Sequence, residues 1–192
     1  MSTYSLDPLA CGVFLIAAFV IAGSAQALWL ASDASRRWSW PLDGGRTFRG
    51  HRLLGDNKTA RGFAVMVPVT GLAFMVLALA GSGTPGLWPL TPAQYLGLGM
   101  LAGAGCMLGE LPNSFIKRQL RIPPGSPAAG SIARPLFFVV DRLDSTLGAL
   151  AALMLSVPVP PATVVCVLLV GVALHGALSV VTFRLGGKAR PA

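Results

Sequence analysis

Three charged residues, Asp141, Arg142 and Asp144, lie inside an otherwise apolar run from Pro135 to Leu155. Each ionised side chain at the centre of a bilayer costs about 2.5–3.5 kcal/mol on insertion scales, so such groups need a partner, a water-filled cavity or a metal ion. On a helix, Asp141 and Asp144 are i and i+3, and their carboxylates point to one side. This pair is therefore suited to a divalent cation. The alternative is a structural ion-pair set in which Arg142 neutralises both acids.

A second polar group, residues 55–61, directly precedes another apolar run. Gly55, Asp56 and Asn57 are typical turn residues. Lys58 and Arg61 follow at the start of a predicted helix, where the helix dipole already favours anions. The segment could cradle a phosphate group, or it could only cap and orient the following span. The local sequence does not decide between the two.

A third polar group follows the apolar run that ends near residue 111. If the helix continues, its acidic, hydroxyl and basic residues form one stripe, which could touch a metal ion and phosphates together. Pro112 is expected to kink this helix. Snorkelling of a basic helix end explains Lys117 and Arg118 but not Glu110. The stripe comprises Glu110, Ser114, Lys117 and Arg121.

The composition indicates an integral membrane protein with a single all-α domain, residues 1–192. Hydrophobic residues make up 54% of the 192 residues and charged residues 11%, against roughly 25% in soluble domains. Five apolar runs are each close to the ~20 residues that a spanning helix needs. The predicted transmembrane helices cover about residues 9–31, 62–81, 93–111, 135–157 and 161–183.

The basic residues predict the orientation of these spans. Fourteen of the 15 Lys and Arg residues lie in segments 32–61 (seven), 112–134 (four) and 184–192 (three). Basic loops stay in the cytoplasm, so we expect cytoplasmic loops at 32–61 and 112–134, a cytoplasmic C-terminus and an external N-terminus. The net charge of +8 is then explained without a nucleic-acid partner. Trp88, in an external connection, is expected to anchor at the membrane interface.

Three stretches together resemble the CTP-dependent cytidylyltransferases of lipid synthesis, most closely the CDP-archaeol synthase branch, a relative of phosphatidate cytidylyltransferase. Glu110 stands where that family usually has Asp, and Pro112-Asn113 separates it from Ser114. The loop 125–133 lacks the Lys-Asp and His-Gly-Gly elements of phosphatidate cytidylyltransferases, which favours the shorter archaeol-type branch. The matching stretches are 41–48 with 53–63, 109–111 with 114–118, and 140–144.

The resemblance implies a reaction of CTP with a lipid phosphate that gives a CDP-lipid and pyrophosphate. It implies Mg²⁺ as cofactor, with a second cation and a homo-oligomer left open, and CTP, a lipid phosphate and membrane lipids as partners. The site would face the cytoplasm from the cell's inner membrane. The implied catalytic residues are Lys117, Arg118, Asp141 and Asp144; the metal ligands are Asp141, Asp144 and Glu110; the nucleotide and phosphate contacts are Asp56, Asn57, Lys58, Arg61, Ser114 and Arg142.

Two other classes of function remain to be weighed. A small transporter could use the intramembrane acids as an ion or proton relay, and it would show coupled flux without nucleotide binding. Five spans without an internal repeat argue against the common transporter plans. A non-catalytic membrane scaffold is the other alternative, and the combined set of acids and basic pairs argues against it.

Overall fold

The computed structural model describes residues 5–81, 84–126 and 128–184, apart from the side chains at positions 175 and 182. Five long helices correspond to the five predicted spans, and a short helix and a two-stranded hairpin lie between the first two. The elements are α1 (Pro8–Ala31), α2 (Asp33–Arg36), β1 (Thr47–Phe48), β2 (His51–Arg52), α3 (Ala60–Ala80), α4 (Pro92–Gln119), α5 (Ala133–Met154) and α6 (Pro161–Arg184).

The long helices form a ring. α4 packs against α3 and α5, α1 packs against α3 and α6, and α5 packs against α6. Each long helix therefore has two neighbours, and residues from distant parts of the chain face each other. The cyclic order brings α4 and α5, which carry two of the three polar groups, side by side.

The end of the ring opposite these polar groups is held by an aromatic core. Phe14 packs edge-on to Phe74, with ring centroids 5.1 Å apart, and against Tyr95 at 5.3 Å. Trp88 is 3% exposed and donates from Nε1 to the carbonyl of Pro158 at 2.7 Å. The expectation of Trp88 as a membrane-interface anchor is thus wrong: its ring fills the core and its N–H finds a protein acceptor, as buried Trp requires.

Helix α4 is longer than its apolar run predicts. It begins with a capping box, in which Thr91 and Gln94 satisfy each other's backbone N–H groups, and it continues through Pro112 to Gln119. A proline inside a helix removes one hydrogen bond but need not end the helix when packing holds both sides. Consequently the predicted loop 112–134 is shorter, and the residues after Pro112 stay on a helical face.

Contact between α4 and α5 is backbone to backbone. A Cβ atom on Gly148 would lie 2.7 Å from the Cα of Gly109 and closer still to the carbonyl oxygen of Gly105. A Cβ on Gly105 would lie 2.5 Å from the Cβ of Ala152. Small residues allow helices in a membrane to approach this closely. We call this contact the α4–α5 seam, residues 105–117 of α4 and 141–152 of α5.

The connection between α2 and α3, which we call the α2–α3 loop (residues 37–59), contains β structure that the all-α prediction did not include. β1 pairs with β2 in antiparallel register through Arg49 and Gly50, both with positive φ, as a two-residue hairpin turn of type I′ requires. An isolated bridge joins Pro41 to Thr59. The loop is thereby folded back on itself at the start of α3.

Within the part of the chain that the structure describes, three helices are apolar enough to cross a membrane by length and composition: Pro8–Ala31, Ala60–Ala80 and Pro161–Val181. Helix α4 is rich in glycine and ends in charged residues, and α5 carries Asp141, Arg142 and Asp144. Charged residues and glycine lower the mean hydropathy of α4 and α5. By length and composition these two helices are therefore not counted as candidate spans, although they complete the ring. The structure is therefore mostly helical and membrane-spanning, as predicted in outline.

Candidate active site at the α4–α5 seam

The two acids of α5 are held together by one amide from α4. Nδ2 of Asn113 donates to Oδ1 of Asp141 at 2.6 Å and to Oδ2 of Asp144 at 2.8 Å. The predicted i, i+3 pairing of the carboxylates is thus realised on one face of α5. The partially positive NH₂ group lies between two carboxylates that would otherwise repel each other.

Two lysines complete the charge balance of the seam. Lys117 of α4 pairs with Asp141, and its Nζ lies 5.4 Å from the centre of the Phe137 ring. Lys58, at the end of the α2–α3 loop, pairs with Glu110. Burial disfavours the charged form of Lys58, but the charge and hydrogen bond of Glu110, together with the charges of Asp144 and Asp141, outweigh burial and raise the pKa of Lys58. The side-chain cation that pairs with Asp141 is therefore Lys117, whereas the ion-pair alternative from the sequence assigned Arg142 to both acids.

The carboxylates of the seam suit a divalent cation that is bound partly by protein oxygens and partly by a phosphate group. Among the residues that the structure describes, no group of three or more His, Cys, Asp or Glu side chains could enclose a metal ion. Mg²⁺, however, is usually held by one or two carboxylates together with substrate phosphates and water. Asp141 and Asp144 provide two such carboxylates, joined by a shared hydrogen-bond donor.

The α2–α3 loop is organised by a carboxylate outside the predicted site. The side chain of Asp43 is fully buried and pairs with the guanidinium of Arg52 at 2.7 Å. It also accepts from the backbone N–H groups of Gly45, Leu54 and Gly55 at 3.0, 3.0 and 3.2 Å. The Arg52 guanidinium and these N–H groups hold the pKa of Asp43 far below its usual range.

The loop meets α4 at Gly55, which has a φ of +91°. A Cβ on Gly55 would lie 3.1 Å from Pro124 and 3.4 Å from a guanidinium nitrogen of Arg118. Arg118 is 7% exposed, and its Nε and Nη1 have no hydrogen-bond partner among the described residues. A buried guanidinium with donors to spare is suited to an anion. It lies where the α2–α3 loop closes over the end of α4.

The other predicted nucleotide contacts lie around this point. Asp56 is largely exposed and pairs with Arg52 at 2.8 Å, and Asn57 is exposed beside it. Arg61 reaches towards α2, with Nη1 3.5 Å from Oγ of Ser35, and Ser114 is buried next to Asn113. Ser114 belongs to the seam, whereas the contacts of Asp56 and Arg61 lie in the α2–α3 loop and at α2. Among the described contacts, none of these side chains pairs with the carboxylates of the seam.

Arg142 faces away from the two acids that flank it in sequence. Its guanidinium donates to the carbonyl of Phe138 at 2.9 Å and lies 3.3 Å from the centre of that ring. Its Nε is 3.9 Å from the position that a Cβ would take on Gly176 of α6. Successive residues of a helix point about 100° apart, which separates Arg142 from the carboxylate face. It therefore lies between α5 and α6.

Sequence analysis missed two residues that hold the site, Asn113 and Asp43. Asn113 is three residues after Glu110 and four before Lys117, so helical spacing alone places it on the same face. Asp43 precedes Gly44-Gly45, a typical turn in which an Asp side chain accepts backbone N–H groups. The spacing signal was available for the first residue, whereas the contacts of Asp43 with residues 52–55 depend on the folded loop.

The first turns of α5 connect this polar site to an apolar surface. Leu136, Phe138 and Val139 are all at least half exposed, and Asp141 follows directly. A lipid head group could therefore reach the carboxylates while its chains remain in the bilayer.

Comparison with known families gives one consistent result. The family model described as "CarS-like: CDP-archaeol synthase" matches residues 37–191. A CDP-archaeol synthase from Pyrococcus furiosus is 31% identical over 157 residues, which cover 79% of this chain and 83% of that protein. A CDP-archaeol synthase from Halobacterium salinarum is 36% identical over 161 residues, which cover 79% of this chain and 82% of that protein.

A solved structure resembles the whole fold. It is described as an intramembrane enzyme for the biosynthesis of archaeal membrane lipids. The TM-score is 0.66 at 26% sequence identity, and the match covers 92% of this chain and 97% of that one. The fold that carries the polar seam in this chain is thus similar to the fold of a solved intramembrane enzyme.

Proposed function

The chain belongs to the CarS-like CDP-archaeol synthase family, which makes it an integral membrane enzyme of the CTP-dependent cytidylyltransferase class. From this we propose that it transfers a cytidylyl group from CTP to a lipid phosphate and uses Mg²⁺. The observation that carries the proposal is the pairing across the seam, in which Asn113 and Lys117 of α4 both bind carboxylates of α5.

The reaction requires no covalent intermediate on the protein. An oxygen of the lipid phosphate forms a bond to the α-phosphorus of CTP, and the bond between the α-phosphorus and the bridging oxygen to the β-phosphate breaks. Pyrophosphate leaves with the electron pair, and the product is a CDP-lipid. Catalysis then consists of positioning and charge neutralisation.

The family implies a divalent metal ion, and we assign Mg²⁺ to the seam. Asp141 and Asp144 would hold it. Glu110 pairs with Lys58 and is not grouped with the two acids in the described structure, so it would become a further oxygen ligand only once that pair opens. When bound, the cation neutralises charge on the phosphate oxygens. The ion pairs of Asp141 with Lys117 and of Glu110 with Lys58 hold these carboxylates in place. On binding of the cation, both lysines would be released towards phosphate groups.

The phosphate contacts follow from the same arrangement. Lys117 and Arg118 would hold the triphosphate or stabilise the leaving pyrophosphate, a role supported by the unpartnered guanidinium nitrogens of Arg118. Lys58 is close enough to the seam to contribute from the loop. The exposed side chains of Asp56 and Asn57 are open to a nucleotide that arrives from water. Arg61, Ser114 and Arg142 are assigned supporting contacts.

We further propose that all five long helices cross the membrane, with the N-terminus outside and the C-terminus and site on the cytoplasmic side of the cell's inner membrane. The clustering of Lys and Arg in alternate connections supports this topology. The acceptor remains open between an archaeol-type lipid phosphate and a phosphatidate-type one, because the exposed aliphatic residues of α5 suit either chain. A second cation and a homo-oligomer are not assigned.

The transporter alternative does not account for the family to which the chain belongs. It would use the same acids as a relay, but it gives no role to the Arg118 guanidinium at the mouth of the site. Membership of a cytidylyltransferase family favours the enzyme.

An assay with labelled CTP, Mg²⁺ and a panel of lipid phosphates tests the proposal on the purified chain in liposomes. We expect CDP-lipid with at least one acceptor, and a loss of about 100-fold or more for Asp144→Asn, because a metal-binding carboxylate becomes neutral. Asp33→Asn is the matched control, since Asp33 lies in α2 with its side chain 95% exposed. No CDP-lipid with any acceptor would disprove the enzyme assignment, and an equal rate in Asp144→Asn would disprove the metal assignment.

A further inference from the structure

Only one of the two polar atoms of the Asn113 amide is hydrogen-bonded among the described residues. Its Nδ2 makes both hydrogen bonds to the carboxylates, whereas its Oδ1 is buried and has no hydrogen-bond partner among the described residues. The whole residue is 7% exposed. Buried side-chain oxygens nearly always have a partner, so an orphan at the centre of a site requires an explanation.

The charge of the carboxylates explains which end of the amide faces them. With the amide turned over, Oδ1 would take the place of Nδ2, 2.6 and 2.8 Å from two carboxylate oxygens. Both the amide oxygen and the carboxylate oxygens are acceptors, so they would repel each other. The observed orientation, with the NH₂ group towards both carboxylates, is thus the favoured one next to two negative charges. A divalent cation between them reverses this preference, because it attracts the carbonyl oxygen and repels the NH₂ group.

We propose that Asn113 is a ligand of the cation, which binds through Oδ1 after the amide turns over, and that it acts as a hydrogen-bonded substitute for the cation when the site is empty. This deepens the proposed function and rests on it. Hard divalent cations bind oxygen ligands, and these include the side-chain carbonyl of Asn as well as carboxylates. A neutral oxygen also adds a ligand without a further negative charge in a site that already contains Glu110, Asp141 and Asp144.

A simpler role for Asn113 makes the opposite prediction. If the amide only clamps the two acids, it competes with the cation, and removing it should tighten cation binding. If Oδ1 is a ligand, removing it should weaken binding. The sign of the change therefore distinguishes the two roles.

The experiment is a titration of the full chain in detergent with Mn²⁺ alone, followed by electron paramagnetic resonance of the free ion. Asn113→Leu removes both polar atoms at similar volume, and Asn113→Asp keeps an oxygen ligand but no donor. We expect Asn113→Leu to bind Mn²⁺ about 10-fold more weakly, and Asn113→Asp to bind at least as tightly as the parent. Gln94→Leu, the same type of change at the other end of α4, should leave Mn²⁺ affinity unchanged.

Thermal denaturation with and without Mn²⁺ provides a second reading that does not depend on activity. Asn113→Asp should have a lower Tm than the parent without the ion, because a third carboxylate then faces Asp141 and Asp144, and a larger upward shift when Mn²⁺ is added. If Asn113→Leu does not fold, Asn113→Ala, which also removes both polar atoms, decides the question: its Mn²⁺-induced shift in Tm should be smaller than that of the parent, whereas a mere clamp predicts a larger one. A smaller Mn²⁺-induced shift in Asn113→Asp than in the parent would overturn the proposal.

Two further outcomes separate this proposal from the proposed function. Equal or tighter Mn²⁺ binding by Asn113→Leu, in a chain that still makes CDP-lipid, would overturn the role of Asn113 alone. Absence of CDP-lipid from a parent chain that binds Mn²⁺ through Asp144 and Asn113 would overturn the proposed reaction and leave the ligand assignment in place.

Discussion

Asp43 in the α2–α3 loop and Asp141 in the α4–α5 seam are both carboxylates that accept several hydrogen bonds, but their donors differ. Asp43 is bound by three backbone N–H groups and by Arg52, all from residues 45–55. Asp141 is bound by the side chains of Asn113 and Lys117, from another helix. Backbone donors cannot leave without unfolding the loop, whereas side-chain donors can rotate away.

This difference separates a structural carboxylate from an exchangeable one. The oxygens of Asp43 are fully used, so its charge serves to shape the loop that carries Gly55 and Lys58. Both oxygens of Asp141 and Oδ2 of Asp144 are held by side chains that a cation or a phosphate can displace, whereas Oδ1 of Asp144 accepts from the backbone N–H of Ser145 at 2.7 Å. A substitution in the loop should therefore change how the loop is ordered, and a substitution in the seam should change both the fold and the chemistry.

The largest expected effect comes from separating the helices of the seam. Gly148→Ala places a Cβ 2.7 Å from the Cα of Gly109, so α4 and α5 must move apart. Overpacking of this kind costs about 1–3 kcal/mol of the free energy of unfolding. A displacement of about 1 Å can cost about 100-fold in rate. Thermal denaturation in detergent and the CDP-lipid assay measure the two effects.

Gly97→Ala is the control for this substitution. Gly97 lies on α4, the helix that Gly148 packs against, and a Cβ there meets no atom of a neighbouring element within 4 Å. The change should leave the rate unaltered and raise stability by up to about 1 kcal/mol, since Ala is the better helix former. Parent-like stability and rate in Gly148→Ala would show that the seam tolerates a wider spacing, and the comparison with the loop would lose its basis.

The helices and the pairing of acids were predictable because they depend on local periodicity. Apolar runs of about 20 residues located all five long helices to within a few residues, except for the end of α4. The sequence left open whether that helix continues past Pro112, and the structure shows that it does, as far as Gln119, where residues 113–117 face α5. Local rules therefore predicted the elements and failed where tertiary contact outweighed them.

The partners of the charges were not predictable from the sequence. Lys58 and Glu110 lie 52 positions apart, and only the ring order of the helices brings them together. Asp43 carries a charge in a hydrophilic segment, which would suggest exposure, yet its side chain is fully buried. The sequence indicates which residues can bind a cation or a phosphate, but the fold decides which of them are already paired.

An intermediate effect is expected where the two regions touch, at the pair of Lys58 and Glu110. A double-mutant cycle of Lys58→Met and Glu110→Gln measures their coupling, and we expect about 1–3 kcal/mol in the free energy of unfolding because both side chains are about four-fifths buried. Each single change leaves one charge unpaired. The double change removes both charges and should recover most of the stability.

Activity should not recover with stability in this cycle. If Lys58 contacts phosphate and Glu110 contacts the cation, the double variant lacks both groups and stays as slow as the worse single variant. Recovery of both quantities would mean that the pair only joins the loop to the seam. Additive losses of stability, with no coupling, would mean that the two regions are energetically independent.

The smallest effect is expected from acid titration of the loop, where Asp43 and Asp56 form a matched pair because both bind Arg52. The pKa of Asp43 is lowered in the folded loop, so its stabilisation is complete above the unfolded pKa of about 4 and is lost as pH falls towards the folded pKa. By pH 3 about 1 kcal/mol of the free energy of unfolding should be lost.

Hydrogen exchange at the amides of Leu54 and Gly55, corrected for the intrinsic rate, should show protection falling between pH 5 and pH 3. Asp43→Asn should lower protection at pH 6 and remove this pH dependence, whereas Asp56→Asn, whose side chain is 75% exposed, should behave like the parent. Equal effects of the two variants would mean that burial and backbone donors do not distinguish Asp43, and the loop would then be held by surface ion pairs alone.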